Sequence, residues 1–122
     1  MSVTGIDFVA LQVRDLARSA EFYEKRLGLK RAPGGPPNAV VFATEPIAFA
    51  VREPLPGVEL PERPGTGVVL WLATAAAGDA QRLHDDLKAD GVPIVAAPAD
   101  SPFGRTFSLA DPDGYVITIH DR

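Results

Sequence analysis

Histidine and cysteine, which often bind metals and take part in catalysis, are scarce in this chain of 122 residues. The sequence has no cysteine, and its two histidines are His84 and His120, so a metal site would need His, Asp or Glu ligands. His84 follows Leu83 on a predicted helix beside Asp85 and Asp86, which is typical of a solvated helix face. His120 ends a predicted strand near the C-terminus and has two interpretations: a rim-exposed side chain, or a ligand contact and candidate general base.

The elements that would position these side chains begin with a strand and an amphipathic helix. Residues 7–13 are an apolar run typical of a buried strand, and Asp15 is a predicted N-cap. The helix is predicted to end at Gly28. Residues 39–42 and 46–52 are two more strands, joined as a hairpin. The apolar stripe of the helix is Leu16, Ala20, Tyr23 and Leu27.

The second half of the chain repeats this order after a Pro-rich segment. Residues 54–66 contain four prolines and are predicted to be a linker without helix or central strand. A strand at residues 67–73 follows, and Asp111 begins a strong turn signal, Asp-Pro-Asp-Gly. Two similar helices that arose by chance in an ordinary α+β sandwich are the alternative. The second helical stripe, 60 residues after the first, is Ala76, Ala80, Leu83 and Leu87, and the remaining predicted strands are residues 92–96, 106–109 and 115–120.

Composition excludes several classes of function. Apolar residues make up 46% of the chain and charged residues 23%, which is typical of a folded globular domain. The net charge is −4, with scattered Lys and Arg, so a nucleic-acid partner is not expected. No window approaches the roughly 20 apolar residues of a membrane span, and no leader pattern is present. The sequence therefore predicts a cytoplasmic protein that does not bind membranes.

Two segments resemble the vicinal oxygen chelate superfamily, which includes glyoxalase I, bleomycin resistance proteins, fosfomycin resistance proteins and extradiol dioxygenases. They are residues 9–29 (VALQVRDLARSAEFYEKRLGL) and residues 103–121 (FGRTFSLADPDGYVITIHD). The resemblance implies one α+β domain over residues 1–122, with βαβββ modules at residues 5–53 and 67–122. It also implies a cup-shaped curved mixed sheet with the helices outside, usually assembled as a homodimer.

Metal-dependent members of this family hold a divalent ion with His and Glu side chains from matching strands. The resemblance assigns these positions here to Phe8, Val68, Thr118 and either Ala50 or, with a slip of two residues, Ala48. None of these side chains offers an imidazole or a carboxylate. We therefore expect no metal site and no cofactor.

The resemblance and strand alternation together predict which residues line the cup. Leu72 is assigned to the cup face, and Trp71 to the opposite, core face. The loop at residues 97–105 is expected to edge the cup, although an ordinary loop anchor is the other interpretation of its side chains. The candidate ligand-binding residues are Phe8, Gln12, Ala50, Arg52, Val68, Leu70, Phe103, Arg105, Thr118 and His120.

These positions support two principal functions. The first is a metal-free binding protein of the bleomycin-resistance type, which sequesters a small apolar or aromatic molecule, such as an antibiotic, in a dimeric cup. The second is a metal-independent isomerase, lyase or hydrolase that acts on a secondary metabolite, with His120 or Arg52 in acid-base or oxyanion roles. A partner-binding module with a collapsed apolar core is a third possibility.

Overall fold

The computed structural model describes residues 1 to 122 and separates into two compact units, Met1–Leu60 and Pro61–Arg122. Each unit places a helix between its first strand and its later strands, which confirms the predicted α+β class and the repeated order. The first unit contains β1 (Phe8–Gln12), α1 (Leu16–Glu21), a π-helical segment (Phe22–Arg26), β2 (Ala39–Phe42) and β3 (Ala48–Arg52). The second contains β4 (Leu70–Ala73), α2 (Asp79–Ala89), β5 (Ile94–Ser101), β6 (Gly104–Ala110) and β7 (Val116–His120).

The sheet of the first unit has the strand order β1-β3-β2. Strand β1 is parallel to β3, and β2 is antiparallel to it. A parallel pair needs a crossover connection, and α1 lies within that crossover. A single bridge between Arg31 and Phe42 extends the sheet beyond β2. The βαβββ pattern has four strands, and the one that would precede β2 along the chain is therefore reduced to one residue pair in this unit.

Local signals define both ends of the first helix. Asp15 is extended just before α1, and its carboxylate accepts a hydrogen bond from the amide of Arg18 at 3.1 Å. At the other end Gly28 has a φ of +75°, and the amide of Leu29 donates to the carbonyl of Tyr23 at 3.0 Å. The predicted N-cap and helix end are confirmed. The wide π-helical turn between them carries no signal in the apolar spacing.

The sheet of the second unit has the order β4-β7-β6-β5. Strands β4 and β7, the first and last of this unit along the chain, are parallel neighbours, as β1 and β3 are in the first unit. The amide of Val13 donates to the carbonyl of Arg52 in the first unit, and that of Thr74 donates to His120 in the second. These equivalent bonds match β1 to β4 with an offset of 61 residues, one more than the helical stripes predict.

Two predicted boundaries in the second unit are wrong. The amide of Val68 donates to the carbonyl of Gly65 at 2.9 Å in a turn, so β4 begins at Leu70 rather than at residue 67. Helix α2 begins at Asp79, and Ala76 lies before it and is exposed. Ala76 is therefore not part of the apolar stripe. Neither helix has the length and apolar character that a membrane crossing requires.

The segment at residues 97–105, predicted to be a loop, is mostly a β-hairpin. Strands β5 and β6 pair antiparallel up to Ser101 and Gly104. Pro98 lies in the part of β5 where the register is irregular. Because β5 is an edge strand, the amide that proline lacks is not needed by a neighbouring strand. Pro98 is therefore compatible with a strand, and Pro102 lies in the turn between β5 and β6.

The predicted turn between the last two strands is confirmed. The carboxylate of Asp111 accepts hydrogen bonds from the amides of Asp113 and Tyr115, both at 2.9 Å. Gly114 has a φ of +98°, a conformation that side-chain-bearing residues rarely adopt. This turn sets the register in which β7 returns beside β6.

Candidate functional site

The pairing of β4 with β7 determines which side chains share a face of the second sheet. Trp71 is paired with Thr118, whereas Leu70 and Leu72 are paired with Ile117 and Ile119. Because laterally paired residues point to the same face of a sheet, Leu70 and Leu72 lie on the buried face, and Trp71 lies on the opposite face with Thr118. The predicted face assignments of Leu70, Leu72 and Trp71 are therefore wrong. The choice of Val68, one residue from the true counterpart of Phe8, reversed each of them.

Three ring side chains meet on the face that carries Trp71. The ring centroid of Trp71 lies 5.8 Å from that of Phe103, with the planes at 76°, and 5.7 Å from that of His120. Trp71 is 50% exposed and Phe103 is 54% exposed. Edge-to-face contact at this separation is favourable, so the rings support one another while much of their apolar surface stays open. We call Trp71, Phe103 and His120 the aromatic cluster.

Phe103 reaches the cluster because it lies at the tip of the β5–β6 hairpin. The hydroxyl of Ser101 accepts a hydrogen bond from the amide of Phe103 at 3.0 Å and donates to the carbonyl of Gly104 at 2.8 Å. Gly104 has a φ of +87°. The serine and the glycine thus define a tight turn that holds the backbone of Phe103 in place.

The imidazole of His120 is oriented by the same hairpin tip. Its Nδ1 lies 3.3 Å from the carbonyl oxygen of Phe103. A carbonyl oxygen can only accept a hydrogen bond, so Nδ1 carries the proton in this contact. In the neutral imidazole Nε2 is then the acceptor. The predicted ligand-contacting residue His120 and the predicted loop residue Phe103 are therefore brought together.

Two hydroxyl groups lie beside the aromatic cluster. The side-chain oxygens of Ser108 and Thr118 are 2.8 Å apart, and the two residues are paired across β6 and β7. Thr118 is buried, whereas Ser108 is partly exposed. Ser108 carried no signal in the sequence, because only the pairing of β6 with β7 shows which of its neighbours it faces.

Arg105 is placed elsewhere than predicted. It alternates with Phe107 and Leu109, which are buried, so it points to the side of the sheet where α2 packs. Its guanidinium donates to Gln81 of α2 at 2.8 Å and to Asp100 at 2.9 Å. The interpretation of Arg105 as a ligand contact is not supported by this position, and the loop-anchor interpretation describes it better.

The carboxylate of Asp121 fixes the ends of three elements in the second unit. It accepts hydrogen bonds from the amides of Gly78 and Arg105, both at 2.8 Å. Gly78 precedes α2 and has no side chain with which to cap it, so Asp121 provides the cap from a distant part of the chain. These backbone hydrogen bonds, chiefly the one from Arg105, hold the pKa of Asp121 below its usual range. The residue next to His120 thus ties β7 to the hairpin and to α2.

We expect Asp121→Asn to lower the midpoint of thermal unfolding at neutral pH. The side-chain NH2 group of asparagine can only donate, so it cannot accept the hydrogen bond from one of the two backbone amides. The folded-state pKa of Asp121 is lowered, so its carboxylate stabilises the fold fully above the unfolded pKa of about 4. This contribution is lost as the pH falls through the folded-state pKa. The difference in midpoint between the two proteins should therefore shrink in acid.

Scanning calorimetry from about pH 2 to about pH 7 measures this difference. Asp86→Asn, on the exposed side of α2, is the matched control and should change the midpoint little at any pH. A difference for Asp121→Asn that stays constant down to the lowest pH would contradict the assigned role of its charge.

The prediction that the other histidine, His84, lies on a solvated helix face is wrong. His84 is only 8% exposed, and its ring packs edge-on against Phe107 with the centroids 5.4 Å apart. Its Nδ1 lies 2.9 Å from a carboxylate oxygen of Asp85, and this hydrogen bond holds the pKa of Asp85 below its usual range. The buried stripe of α2 is Ala80, His84 and Leu87, so His84 takes the position that Leu83 was expected to occupy.

The predicted site residues of the first unit share one face of its sheet. Phe8 is paired with Ala48, and Gln12 is paired with Arg52. The side-chain oxygen of Gln12 accepts a hydrogen bond from the amide of Leu55 at 2.8 Å, and Arg52 donates to the adjacent carbonyl of Glu53. Ala50 lies between these pairs and is buried. The shared face agrees with the alternation used to choose Phe8, Gln12, Ala50 and Arg52, and their part in ligand binding stays a prediction.

The four positions that the resemblance assigns to a divalent metal carry side chains that do not fit such an ion. The offset between β1 and β4 matches Phe8 to Val69 rather than to the predicted Val68, and both valines are apolar. The side chain of Ala50 has no atom that can bind a metal, and the hydroxyl of Thr118 is hydrogen-bonded to that of Ser108. No group of three or more His, Cys, Asp or Glu side chains is arranged to hold a metal ion. A hydroxyl alone is a weak substitute for the imidazoles and carboxylates that bind such metals.

Comparison with known proteins agrees with this fold. A glyoxalase-related enzyme from Fulvimarina pelagi has 23% identity and a TM-score of 0.78, with 98% of this chain and 89% of that chain covered. A lactoylglutathione lyase from Agrobacterium tumefaciens has 17% identity and a TM-score of 0.71, with 99% and 96% covered. An antibiotic binding protein from Streptomyces sp. CB03234 has 23% identity and a TM-score of 0.71, with 99% and 98% covered.

Sequence-level comparison places the chain in a family. No curated protein matches it significantly. The family model described as "Glyoxalase/Bleomycin resistance protein/Dioxygenase superfamily" matches residues 5–119, which is nearly the whole chain. This protein therefore belongs to the glyoxalase/bleomycin resistance protein/dioxygenase superfamily, as the two sequence segments predicted.

Proposed function

We propose that this protein binds a small aromatic molecule at the aromatic cluster without the help of a metal ion. The observation that carries the proposal is the half-exposed pair Trp71 and Phe103 beside an oriented His120. Large aromatic side chains are normally buried, and an exposed group of them beside polar groups is the composition expected of a small-molecule site. The lack of an imidazole or a carboxylate at the four metal positions supports a function that does not depend on a metal.

A binding protein of this kind would act by sequestering its ligand. The similarity in fold to an antibiotic binding protein from Streptomyces supports an antibiotic or a related aromatic metabolite as the type of ligand. Assembly as a homodimer belongs to the same proposal. Neither feature requires a catalytic group in the site.

The proposal can be tested with the indole of Trp71, because it is the only tryptophan in the chain. In ¹⁵N-labelled protein the indole N–H gives one resonance that reports on the cluster alone. Titration with 1-naphthol should shift this resonance in a saturable way. Calorimetry should show about a tenfold lower affinity for Trp71→Leu, since an aromatic contact contributes about 0.5–1.5 kcal/mol beyond its apolar area.

Val58→Ala is the control, because it removes an exposed apolar side chain from the linker and should leave the affinity unchanged. An indole resonance that does not move with 1-naphthol would overturn the proposal. Equal losses of affinity in Trp71→Leu and Val58→Ala would show non-specific adsorption instead.

A metal-independent enzyme is the second candidate, and the geometry of His120 favours it. Its Nδ1 is engaged with the carbonyl of Phe103, which leaves Nε2 able to accept a proton from a bound molecule. The two functions differ in the fate of the ligand. Mass spectrometry of a ligand recovered after long incubation gives the original compound for a binding protein and a product for an enzyme.

A further inference from the structure

The polar groups around the aromatic cluster specify more than an aromatic ring. We infer that the preferred ligand is a neutral aromatic molecule with a hydroxyl group on its ring, which donates a hydrogen bond to Nε2 of His120. This inference rests on the proposed function and adds the chemical class of the ligand.

The acceptor is the unpaired ring nitrogen of His120. Nδ1 donates to the carbonyl of Phe103 at 3.3 Å, so in the neutral imidazole Nε2 has a lone pair, and no protein group is bonded to it. The ring is also held against Trp71 with the centroids 5.7 Å apart, so the acceptor lies at the edge of the exposed aromatic surface. A ligand ring that packs on Trp71 can therefore bring a hydroxyl within reach of Nε2. A hydroxyl satisfies this nitrogen, whereas an ether oxygen cannot.

The hydroxyl pair beside the cluster gives the same preference for a polar, uncharged ligand. Ser108 and Thr118 are hydrogen-bonded to each other at 2.8 Å, which uses one of their two protons. The remaining proton and lone pairs are available to the oxygen of a ligand hydroxyl, which can donate to His120 and accept from this pair. Thr118 is the residue paired with Trp71, so the hydroxyl pair and the indole are neighbours.

The charge of the surrounding strand positions decides between neutral and ionised ligands. Near the hairpin tip, Arg105 and Asp100 pair with each other, and Arg105 points to the opposite side. The carboxylate of Asp121 is held there by two backbone amides. An ionised ligand would lose solvation on this face without gaining a partner. None of the strand residues that share the face of Trp71 is Asp, Glu, Lys or Arg: they are Ala73, Ala96, Ala99, Thr106, Ser108, Ala110, Val116, Thr118 and His120.

Three naphthalene probes of similar size separate these requirements. We expect 1-naphthol to bind about fivefold to tenfold more tightly than 1-methoxynaphthalene, since a net hydrogen bond contributes about 1 kcal/mol. The methoxy compound is the more apolar of the two, so burial of apolar area alone gives the opposite order. The anion 1-naphthoate should bind more weakly than 1-naphthol. Calorimetry gives the affinities, and the indole resonance of Trp71 gives the location.

Two variants test the assigned groups. His120→Phe keeps a ring beside Trp71 and removes the acceptor, and the preference for 1-naphthol over the methoxy compound should fall to less than twofold. Thr118→Val keeps the shape and removes one hydroxyl of the pair, and it should reduce the preference in part. If His120→Phe does not fold, Thr118→Val still tests the polar contribution.

Each outcome separates the inference from the proposed function. Equal affinities for 1-naphthol and 1-methoxynaphthalene, with both probes shifting the indole resonance, would overturn the inference and leave the proposed function intact. Absence of any shift would overturn the proposed function. A preference for 1-naphthol that persists in His120→Phe would overturn the role of His120, and tighter binding of 1-naphthoate would overturn the requirement for a neutral ligand.

Discussion

Tyr23→Ala should lower the free energy of unfolding by about 3–5 kcal/mol, the range typical for deletion of a large buried ring. The side chain of Tyr23 is fully buried, and its ring centroid lies 5.1 Å from Phe49, 5.3 Å from Phe22 and 6.2 Å from Phe42. Removal of this ring leaves a cavity that three rings on fixed backbones cannot fill. Since small domains have a total stability of about 5–15 kcal/mol, this substitution removes a large share of it.

Urea denaturation followed by circular dichroism measures this loss. Phe8→Ala is the matched control: it also deletes an aromatic side chain of the first unit, but one that is 48% exposed, and it should cost less than about 1 kcal/mol. Tyr23→Phe keeps the ring and should recover most of the stability. Similar losses for Tyr23→Ala and Phe8→Ala would show that the aromatic contacts of Tyr23 do not dominate the core of this unit.

The sequence predicts those parts of the fold that depend on one strong local signal. The Asp15 cap, the helix end at Gly28 and the turn that begins at Asp111 each rest on a residue type with a specific backbone role, and the structure confirms all three. The two family segments predict the superfamily for a similar reason, since they combine these signals in order. Such signals survive small errors in the position of a neighbouring element.

The face of β4 could not be predicted, because its sequence gives no alternation. Residues 67–73 read GVVLWLA, so every position after the glycine is apolar and either face could be the buried one. Strand side chains alternate with a period of two, so an error of one residue reverses every assignment. Only the pairing with β7 shows that Trp71 is on the exposed face. The aromatic cluster was missed for this reason, although Phe103 and His120 were among the predicted site residues.

The chemical prediction at the metal positions is less sensitive to such an error. The choice between Val68 and Val69 changes the face but not the chemistry, because both are valines. By contrast, the predictions for His84 and Arg105 depended on where a side chain points, and tertiary packing decided both. His84 is buried against Phe107, and Arg105 binds a glutamine of α2. Residue type alone thus could not predict the orientation of these two side chains.

Gly104→Ala should destabilise the second unit more than the same substitution at a glycine whose surroundings are open, such as Gly91. A Cβ at Gly104 would lie 2.6 Å from a carboxylate oxygen of Asp121 and 2.8 Å from the Cβ of Arg122. The carboxylate is held by two backbone amides, so it cannot move without losing the cap of α2. We expect this contact to cost about 2 kcal/mol beyond the backbone strain, within the range for overpacking.

Gly91→Ala separates the clash from the strain. Gly91 has a φ of +82°, close to the +87° of Gly104, and a Cβ there meets no atom within 4 Å. Both substitutions therefore carry the cost of about 1–2 kcal/mol for an L-residue in the left-handed region, and only Gly104→Ala adds the contact with Asp121. Urea denaturation gives the difference in stability, and equal losses would contradict the proposed contact. Because Gly104 follows Phe103, we also expect the Trp71 indole resonance to shift in Gly104→Ala and to stay in place in Gly91→Ala. The hairpin tip would then be shown to hold the aromatic cluster through the same carboxylate that caps α2.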